Sequence, residues 1–171
     1  MIEVKQNIFV GNESEVDSIL HSKEWAFVHC CKHPFHCDMV GYKGVLPKTH
    51  PNYPFIIKGN RMALNLVDAD SYAYDEYWHS FFLNMFNNAF DFIDSQLQSG
   101  KKVFIHCNQG ESRGPSIALL YLISKGYHEK TFDETVQNYS TLYPNYKPRA
   151  SIFGNIKDSW DYYTSIWNCE G

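Results

Sequence analysis

The chain has no long apolar run. None of its hydrophobic stretches approaches the ~20 residues that a helix needs to cross a bilayer, so the sequence predicts no membrane-spanning segment and no membrane partner. The first six residues lack the basic and then apolar layout of a signal peptide. We therefore expect a cytoplasmic protein.

The chain also lacks an excess of positive charge. It has 15 lysine and arginine residues against 19 aspartate and glutamate residues, a formal net charge of −4. Proteins that bind nucleic acid usually present a clustered basic face, so nucleic acid is not an expected partner. No repeat, low-complexity tract or Ser/Gly linker divides the 171 residues, which suits one domain over 1–171. The oligomeric state stays open.

The cysteines do not form a disulfide framework. There are five, an odd number: Cys30, Cys31, Cys37, Cys107 and Cys169. Several histidines follow Cys30 and Cys31, but these two cysteines are adjacent near a strand end and should point to opposite faces. No second ligand pair stands at a usual zinc spacing, so we predict no metal and no cofactor. Lys32, His33 and His36 then either line a ligand cleft or lie on the loop surface.

Hydrophobic periodicity predicts strands that alternate with helices. The predicted strands are 8–10, 25–29, 63–67 and 102–105, and the predicted helices are 13–20, 76–99, 117–123, 132–142 and 152–167. Residues 30–60 are rich in proline and glycine and are predicted as a long irregular loop, a kind that is usually functional. The alternation predicts an α/β fold, a three-layer-like sandwich with a central, mostly parallel sheet flanked by helices.

The most informative stretch is 106–113, which reads His-Cys-Asn-Gln-Gly-Glu-Ser-Arg between a strand pattern and a helix pattern. Backbone N–H groups in this bend can form a cup that fits a tetrahedral dianion, with Cys107 at its floor and Arg113 on its rim. The helix dipole, the N–H donors and the guanidinium all favour the thiolate, which is the reactive form. Gly110 permits the positive φ that a tight loop needs.

Several residues of this bend are therefore candidates for binding phosphate, sulfate or vanadate. They are Asn108, Gln109, Gly110, Glu111, Ser112 and Arg113. We expect His106 to be a core histidine that holds a backbone carbonyl and does not react. Glu111 orients Arg113, aids substrate choice or is an exposed loop carboxylate. The more distant Lys147, Arg149 and Lys157 are predicted to be solvated charges.

The stretch resembles the active-site loop of the cysteine-dependent protein tyrosine phosphatases, His-Cys-x-x-Gly-x-x-Arg-Ser/Thr. It is most similar to the compact dual-specificity branch, which the run Ser112-Arg113-x-Pro115-Ser116 also resembles. The likeness covers most of 8–125, and the motif is also similar to phosphatase-like proteins of bacteria and phages. The resemblance implies a protein tyrosine phosphatase-like fold and metal-independent hydrolysis of phosphotyrosine, with phosphoserine and phosphothreonine, in proteins or peptides.

The resemblance also implies the chemistry. Cys107 attacks phosphorus and forms a cysteinyl-phosphate while an aspartic acid protonates the leaving oxygen, and the same aspartate then activates water. The acid is Asp68 or Asp70, which follow a predicted strand, with Asp68 slightly favoured because it follows directly. The family's hydroxyl after the arginine is replaced by Gly114, so a slow second step is expected unless Ser112 or a water substitutes. On this reasoning Gly114→Ser raises turnover.

Two other functions remain open. One is a phosphate-recognition module that is catalytically slow or inactive. The other is a sulfurtransferase of the rhodanese type, against which Arg113 and the upstream aspartates argue. The natural substrate also stays open, because a phosphoprotein, a phosphoinositide, a nucleotide or the 5′ end of an RNA would each offer a phosphate monoester or a related group.

Overall fold

The structure is a computed structural model that describes residues 1–168, so Cys169 lies outside the described residues. The strands are β1 Ile2–Lys5, β2 Ile8–Asn12, β3 Trp25–His29, β4 Phe55–Lys58, β5 Arg61–Leu64 and β6 Lys102–Cys107. The helices are α1 Cys37–Val40, α2 Glu76–Gln98, α3 Arg113–Ser124, α4 Phe132–Leu142, α5 Ala150–Asp158 and α6 Trp160–Asn168. A 3₁₀ turn, Glu13–Glu15, follows β2, and a π-helical turn, Lys32–His36, precedes α1.

The strands form one sheet in the order β1-β2-β6-β3-β5-β4. The four central strands are parallel, and β1 and β4 pair antiparallel at the two edges. β6 lies at the centre, where a short run of β-branched and aromatic residues can be buried on both faces. The prediction of an α/β fold around a mostly parallel sheet is confirmed.

Alternate residues of β6 face two different cores, as the period of a strand requires. Val103 and Ile105 belong to the large core that also contains buried residues of α2, α3 and α5. Phe104 packs in a smaller cluster on the other face, with Phe27 and Val16. Helices therefore cover one face of the sheet, and the segments after β2 and β3 cover the other.

Some predicted boundaries are wrong, and each has a local reason. The predicted helix 13–20 is a series of i→i+3 turns after the capped Glu13–Glu15, which lets Val16 pack on the sheet. The predicted helix 152–167 is divided between α5 and α6 at Ser159, whose hydroxyl bonds back to the carbonyl of Asn155 at 2.8 Å. The edge strands β1 and β4 were not predicted, because short edge strands carry little periodic signal.

The predicted loop 30–60 contains the π-helical turn Lys32–His36, α1 and β4, and only its remaining parts are irregular. The predicted helix 76–99 is confirmed as α2, with Asp75 as its N-cap accepting from the backbone N–H of Trp78 at 3.0 Å. No helix among residues 1–168 is both long and apolar enough to cross a membrane.

Candidate active site

The bend between β6 and α3, residues 108–112, has its carbonyl groups held from outside. Tyr143 donates its hydroxyl to the carbonyl of Gly110 at 2.7 Å. The backbone N–H of Lys147 donates to Glu111 at 2.8 Å, and that of Glu13 donates to Asn108 at 3.3 Å. Two separate parts of the chain, the turn after β2 and residues 143–147 after α4, therefore fix which way these peptide groups point.

The N–H groups of the bend point the other way. In a trans peptide the C=O of one residue and the N–H of the next lie on opposite sides, so the N–H groups of Gln109, Glu111 and Ser112 face inward. Within the described part of the chain, no backbone N–H of residues 108–113 donates to a protein acceptor. Buried N–H groups are normally paired, so this row of free donors has the character of an anion site.

Gly110 is required by this shape. Its φ is +72°, and a Cβ added there would lie 2.7 Å from the carbonyl oxygen of Gly11. Any residue other than glycine would therefore be strained at this φ, and its Cβ would collide with the backbone of β2. Cys107 lies at the floor of the bend and is only 2% exposed.

Arg113 is held at the rim by part of its donor set. Its Nη1 donates to the carbonyl of Leu66 at 3.0 Å, and its Nη2 donates to Oδ1 of Asn108 at 2.8 Å. Nε lies 3.4 Å from Oδ2 of Asp68, close enough for an ion pair but not aligned for a hydrogen bond, so this buried donor has no hydrogen-bond partner. A guanidinium has five N–H donors, so three stay available for an oxyanion.

Asn108 positions this arginine. Its amide nitrogen donates to Oε2 of Glu13 at 2.7 Å and to the carbonyl of His33 at 2.9 Å. These two donations fix which way the amide points, so its oxygen faces Arg113. His33 also lines a cavity of about 860 Å³ that opens beside Asn108, whereas His36 is buried and bonds Tyr42 and the carbonyl of Asn52.

The two candidate acids occupy different surroundings. Asp68 is half-buried, accepts from the hydroxyl of Ser112 at 3.0 Å and pairs with Arg113. Asp70 is 85% exposed, and its Oδ1 lies 3.6 Å from Nε of Arg149. Asp68 is therefore the carboxylate that touches the cup directly.

Two buried histidines lie behind the cup on the opposite face of the sheet. Nε–H of Arg61 donates to Nε2 of His29 at 3.0 Å, so that nitrogen carries no proton. Burial, reinforced by His106 and Arg61, lowers the pKa of His29 to about 2, and burial lowers that of His106 to about 4, so both rings are neutral at neutral pH. The His29 proton is then on Nδ1, which donates to Nε2 of His106 at 2.5 Å. The His106 proton lies on Nδ1, 3.4 Å from the carbonyl of Cys107.

The thiols nearest to Cys107 differ from it in environment. Cys30 follows the register pair His29 and His106, so it lies beside Cys107 on the neighbouring strand. Burial raises the pKa of Cys30 well above its ordinary value and that of Cys31 to about 12. Both stay protonated thiols at neutral pH and do not compete as nucleophiles. Among residues 1–168, no group of three or more His, Cys, Asp or Glu side chains is placed to hold a metal.

The contacts of this bend decide several alternatives that the sequence left open. The side chain of Glu111 does not orient Arg113, because it lies 3.6 Å from Nζ of Lys147. The hydroxyl of Ser112 cannot replace the missing family hydroxyl at the sulfur, because it is bonded to Asp68 and to the backbone N–H of Arg149. The side chains of Lys147 and Arg149 are exposed, as predicted for solvated charges, and their backbones also bind the bend.

Gly114 has no room for a side chain. A Cβ there would lie 2.8 Å from the carbonyl carbon of His106 and 2.9 Å from the backbone nitrogen of Cys107. These are main-chain atoms of the central strand, which cannot move aside cheaply. The expectation that Gly114→Ser raises turnover is therefore wrong.

We predict instead that Gly114→Ser displaces the cup from β6 and lowers both stability and oxyanion affinity. Overpacking of this kind typically costs about 1–3 kcal/mol. Thermal unfolding and tungstate binding measure the two effects. Gly100→Ser adds a Cβ with nothing within 4 Å at a φ of +81°, so it should lower stability through backbone strain but leave tungstate affinity unchanged. Unchanged tungstate affinity in Gly114→Ser would contradict the steric argument.

The family model for the dual specificity phosphatase catalytic domain matches residues 52–146, more than half of the chain. The chain belongs to this family. The expected resemblance is thereby confirmed, and the matched range contains the cup and both candidate acids, whereas Arg149 and Ser151 lie beyond it. The narrower likeness to proteins of bacteria and phages stays a prediction.

Curated relatives align with part of their own length. Dual specificity protein phosphatase 1-A of Xenopus laevis is 32% identical over 113 residues, which cover 64% of this chain and 29% of that protein. Human dual specificity protein phosphatase 5 is 41% identical over 63 residues, 36% of this chain and 16% of that protein. The chain thus aligns with less than a third of either relative.

Solved structures show the same fold at low identity. The crystal structure of DUSP15 superposes with a TM-score of 0.64 at 13% identity, covering 99% of this chain and 93% of that one. The crystal structure of PTPMT1 gives 0.62 at 14% identity, covering 98% of both chains. The expected protein tyrosine phosphatase-like fold is confirmed.

Proposed function

We propose that the chain hydrolyses phosphate monoesters through Cys107, without a metal, and that phosphotyrosine and phosphoserine or phosphothreonine in proteins are its substrates. One observation carries the proposal. Within the described residues, the backbone N–H groups of residues 108–113 donate to no protein acceptor, and those of Gln109, Glu111 and Ser112 lie opposite carbonyl groups that other segments hold, in the bend that follows the buried Cys107. Membership of the dual specificity phosphatase family supports the same activity.

In the first proposed step, the thiolate of Cys107 attacks phosphorus and a P–S bond forms while the P–O bond to the leaving group breaks. The carboxylic acid, Asp68 or Asp70, gives its proton to the leaving oxygen. The inward N–H groups and Arg113 stabilise the three equatorial oxygens as charge shifts in the transition state.

Neighbouring groups orient the guanidinium of Arg113 before substrate binds. Two of its donors are used on Leu66 and Asn108, and these bonds fix the plane of the guanidinium before any substrate arrives. The buried Nε–H lacks an aligned acceptor, and an unpaired buried donor costs about 1–3 kcal/mol. A phosphate oxygen in the cup would supply that acceptor, so binding relieves the cost.

In the second proposed step, water attacks the phosphocysteine, the carboxylate takes a proton from the water, and the P–S bond breaks to regenerate the thiolate. The family's hydroxyl that assists the leaving sulfur has no counterpart at Gly114, and no side chain fits there. We therefore expect this step to limit turnover, with a burst of leaving group in the first cycle.

The same glycine favours a second candidate function. A cup that binds a phosphorylated residue but releases inorganic phosphate very slowly would act as a recognition module. A solved structure with this fold, at TM-score 0.60 and 15% identity, is described as a human tyrosine phosphatase-like serine/threonine/tyrosine-interacting protein. Tight phosphopeptide binding without phosphate release over many hours would select this alternative.

A direct assay separates the two functions. We expect the purified chain to release phosphate from p-nitrophenyl phosphate and from phosphotyrosine peptides, with inhibition by vanadate and no effect of EDTA. Rapid mixing should show a burst of p-nitrophenol close to one equivalent of enzyme. Loss of activity with EDTA, or activity insensitive to vanadate, would contradict cysteine-based hydrolysis.

The acid is identified by matched substitutions at the two aspartates. We predict that Asp68→Asn lowers kcat/KM for a phosphotyrosine peptide about 10²–10⁴-fold, the usual contribution of a positioned acid. The loss should be much smaller on p-nitrophenyl phosphate, because p-nitrophenolate is a weak base that leaves without a proton. Asp70→Asn, which removes a carboxylate of the same loop that does not touch the cup, is the control. The reverse pattern would assign the role to Asp70.

A further inference from the structure

We propose that the first turn of α5 holds the acid-bearing loop over the cup, with Ser151 and Gly154 as positioning residues for the general acid. The loop, here called the acid loop, comprises residues 67–72. The inference rests on the proposed function. It concerns a part of the chain outside the range that the family model matches.

Ser151 bonds to both the N–H and the carbonyl group of Ala69. The N–H of Ala69 donates to Oγ of Ser151 at 2.9 Å, and the backbone N–H of Ser151 donates to the carbonyl of Ala69 at 3.1 Å. The second bond uses one of the N–H groups that a helix start leaves unpaired. Ala69 lies between Asp68 and Asp70, so fixing its peptide groups fixes the position of the acid whichever aspartate it is.

The acid loop has little else to hold its backbone. Residues 67–72 form no helix or strand, and several of their side chains, Val67 and Asp70 among them, are exposed. In the described structure, the backbone hydrogen bonds made by these residues are the two to Ser151. A segment with few buried contacts opens at low free-energy cost, so these two bonds carry much of its order.

Gly154 gives the loop a second point of attachment. It lies in the middle of α5, where glycine is unfavourable by roughly 0.5–1 kcal/mol relative to alanine. The ring of Tyr72 explains why a glycine stands in this helix, because a Cβ on Gly154 would lie 2.3 Å from two atoms of that ring. The aromatic ring thus rests directly on the helix backbone one turn beyond Ser151.

The same helix start is also tied to the cup. The backbone N–H of Arg149 donates to Oγ of Ser112 at 3.0 Å, and that hydroxyl donates to Asp68 at 3.0 Å. The side chain of Arg149 lies 3.6 Å from Asp70. The phosphate site and the acid loop are therefore both bonded to the start of α5. This shared attachment keeps the distance from the acid to the leaving oxygen constant.

The test compares two leaving groups. We expect Ser151→Ala and Gly154→Ala to lower kcat/KM for phenyl phosphate, whose leaving group needs a proton, about tenfold more than kcat/KM for p-nitrophenyl phosphate. The ratio kcat/KM reports the first step, in which the leaving group departs, even where the second step limits kcat. A misplaced acid loses part of the 10²–10⁴-fold that it supplies, while the cup and the nucleophile are unaltered. Tungstate affinity should change little, because oxyanion binding stays with the cup.

Three controls isolate the positioning role. Ser140→Ala removes a helical serine hydroxyl that bonds only its own helix, at the carbonyl of Val136, and should leave the ratio of the two rates unchanged. In a Tyr72→Ala background, Gly154→Ala should have no further effect, because the added methyl no longer meets a ring. Gly154→Ala also raises helix propensity, so unfolding temperature should not fall with the rate.

Hydrogen exchange gives a readout that does not depend on activity. The amide of Ala69 should exchange slowly in the native chain and much faster in Ser151→Ala. A rate ratio within twofold of the native value in both variants, in an active enzyme, would overturn the inference and leave the proposed function intact. A chain with no phosphatase activity would overturn the proposed function, and Ala69 protection that does not depend on Ser151 would overturn the attachment itself.

Discussion

Cys107→Ser is expected to abolish hydrolysis of both p-nitrophenyl phosphate and phosphopeptides, by more than about 10³-fold in kcat. A serine hydroxyl has almost the same size as the thiol but does not ionise near neutral pH, so it supplies no anionic nucleophile. The carbonyl groups of the bend remain tied to Tyr143, Lys147 and Glu13. The cup should therefore stay formed and continue to bind tungstate and phosphopeptides.

Calorimetric titration and a phosphate-release assay on the same preparation measure the two halves of this prediction. Cys37→Ser is a matched control, because Cys37 is also a buried free cysteine and its sulfur lies 3.2 Å from Nδ1 of His33, outside the cup. Residual activity in Cys107→Ser comparable to that of Cys37→Ser would refute the nucleophile. Such a result would move the chemistry to another group.

Arg113→Lys is expected to lower kcat/KM about 10²–10³-fold, the usual cost of removing a transition-state donor. Lysine keeps the charge but has no planar fork to hold two phosphate oxygens. It also cannot keep the bonds to Leu66 and Asn108 that fix the guanidinium, so the remaining ammonium is poorly placed. Both kcat and KM should worsen, because the arginine serves binding and the transition state.

Chemical rescue checks that the effect is local. Arg113→Ala should regain part of its activity when guanidinium ion is added at concentrations well below those that unfold the protein, because the cavity left by the side chain lies on the rim of the cup. Ammonium ion of the same concentration should rescue less. Equal rescue by both ions would show that charge alone, without the fork, accounts for the arginine.

The cup could be predicted from sequence because it is local. A strand, a glycine and a helix follow one another within 102–124, and the conformation of each depends mainly on residues close to it in sequence. The strand pattern predicted 102–105 and placed Cys107 just after it, where β6 ends at Cys107 itself, and Gly110 indicated the positive φ that the structure has. Asp68 and Asp70 became candidates because the resemblance implies an acid shortly after a strand.

The supports of the cup could not be predicted in the same way. Tyr143, Lys147 and Arg149 contact the bend from more than 30 residues away in sequence, through a hydroxyl and backbone groups that carry no periodic signal. The steric limit at Gly114 arises where α3 crosses the backbone of β6. No local pattern reports a distance between two elements that meet only after the chain folds.

The sequence by itself determined the reactive groups and their order along the chain, since a thiol, a guanidinium and a tight glycine turn between a strand and a helix depend on residues within one short segment. Only the tertiary structure decided which peptide groups face inward, which carboxylate touches the cup and what holds the acid loop. The reason is that these features are set by hydrogen bonds and contacts between segments far apart in sequence, whose geometry is fixed by the packing of the sheet against α3 and α5.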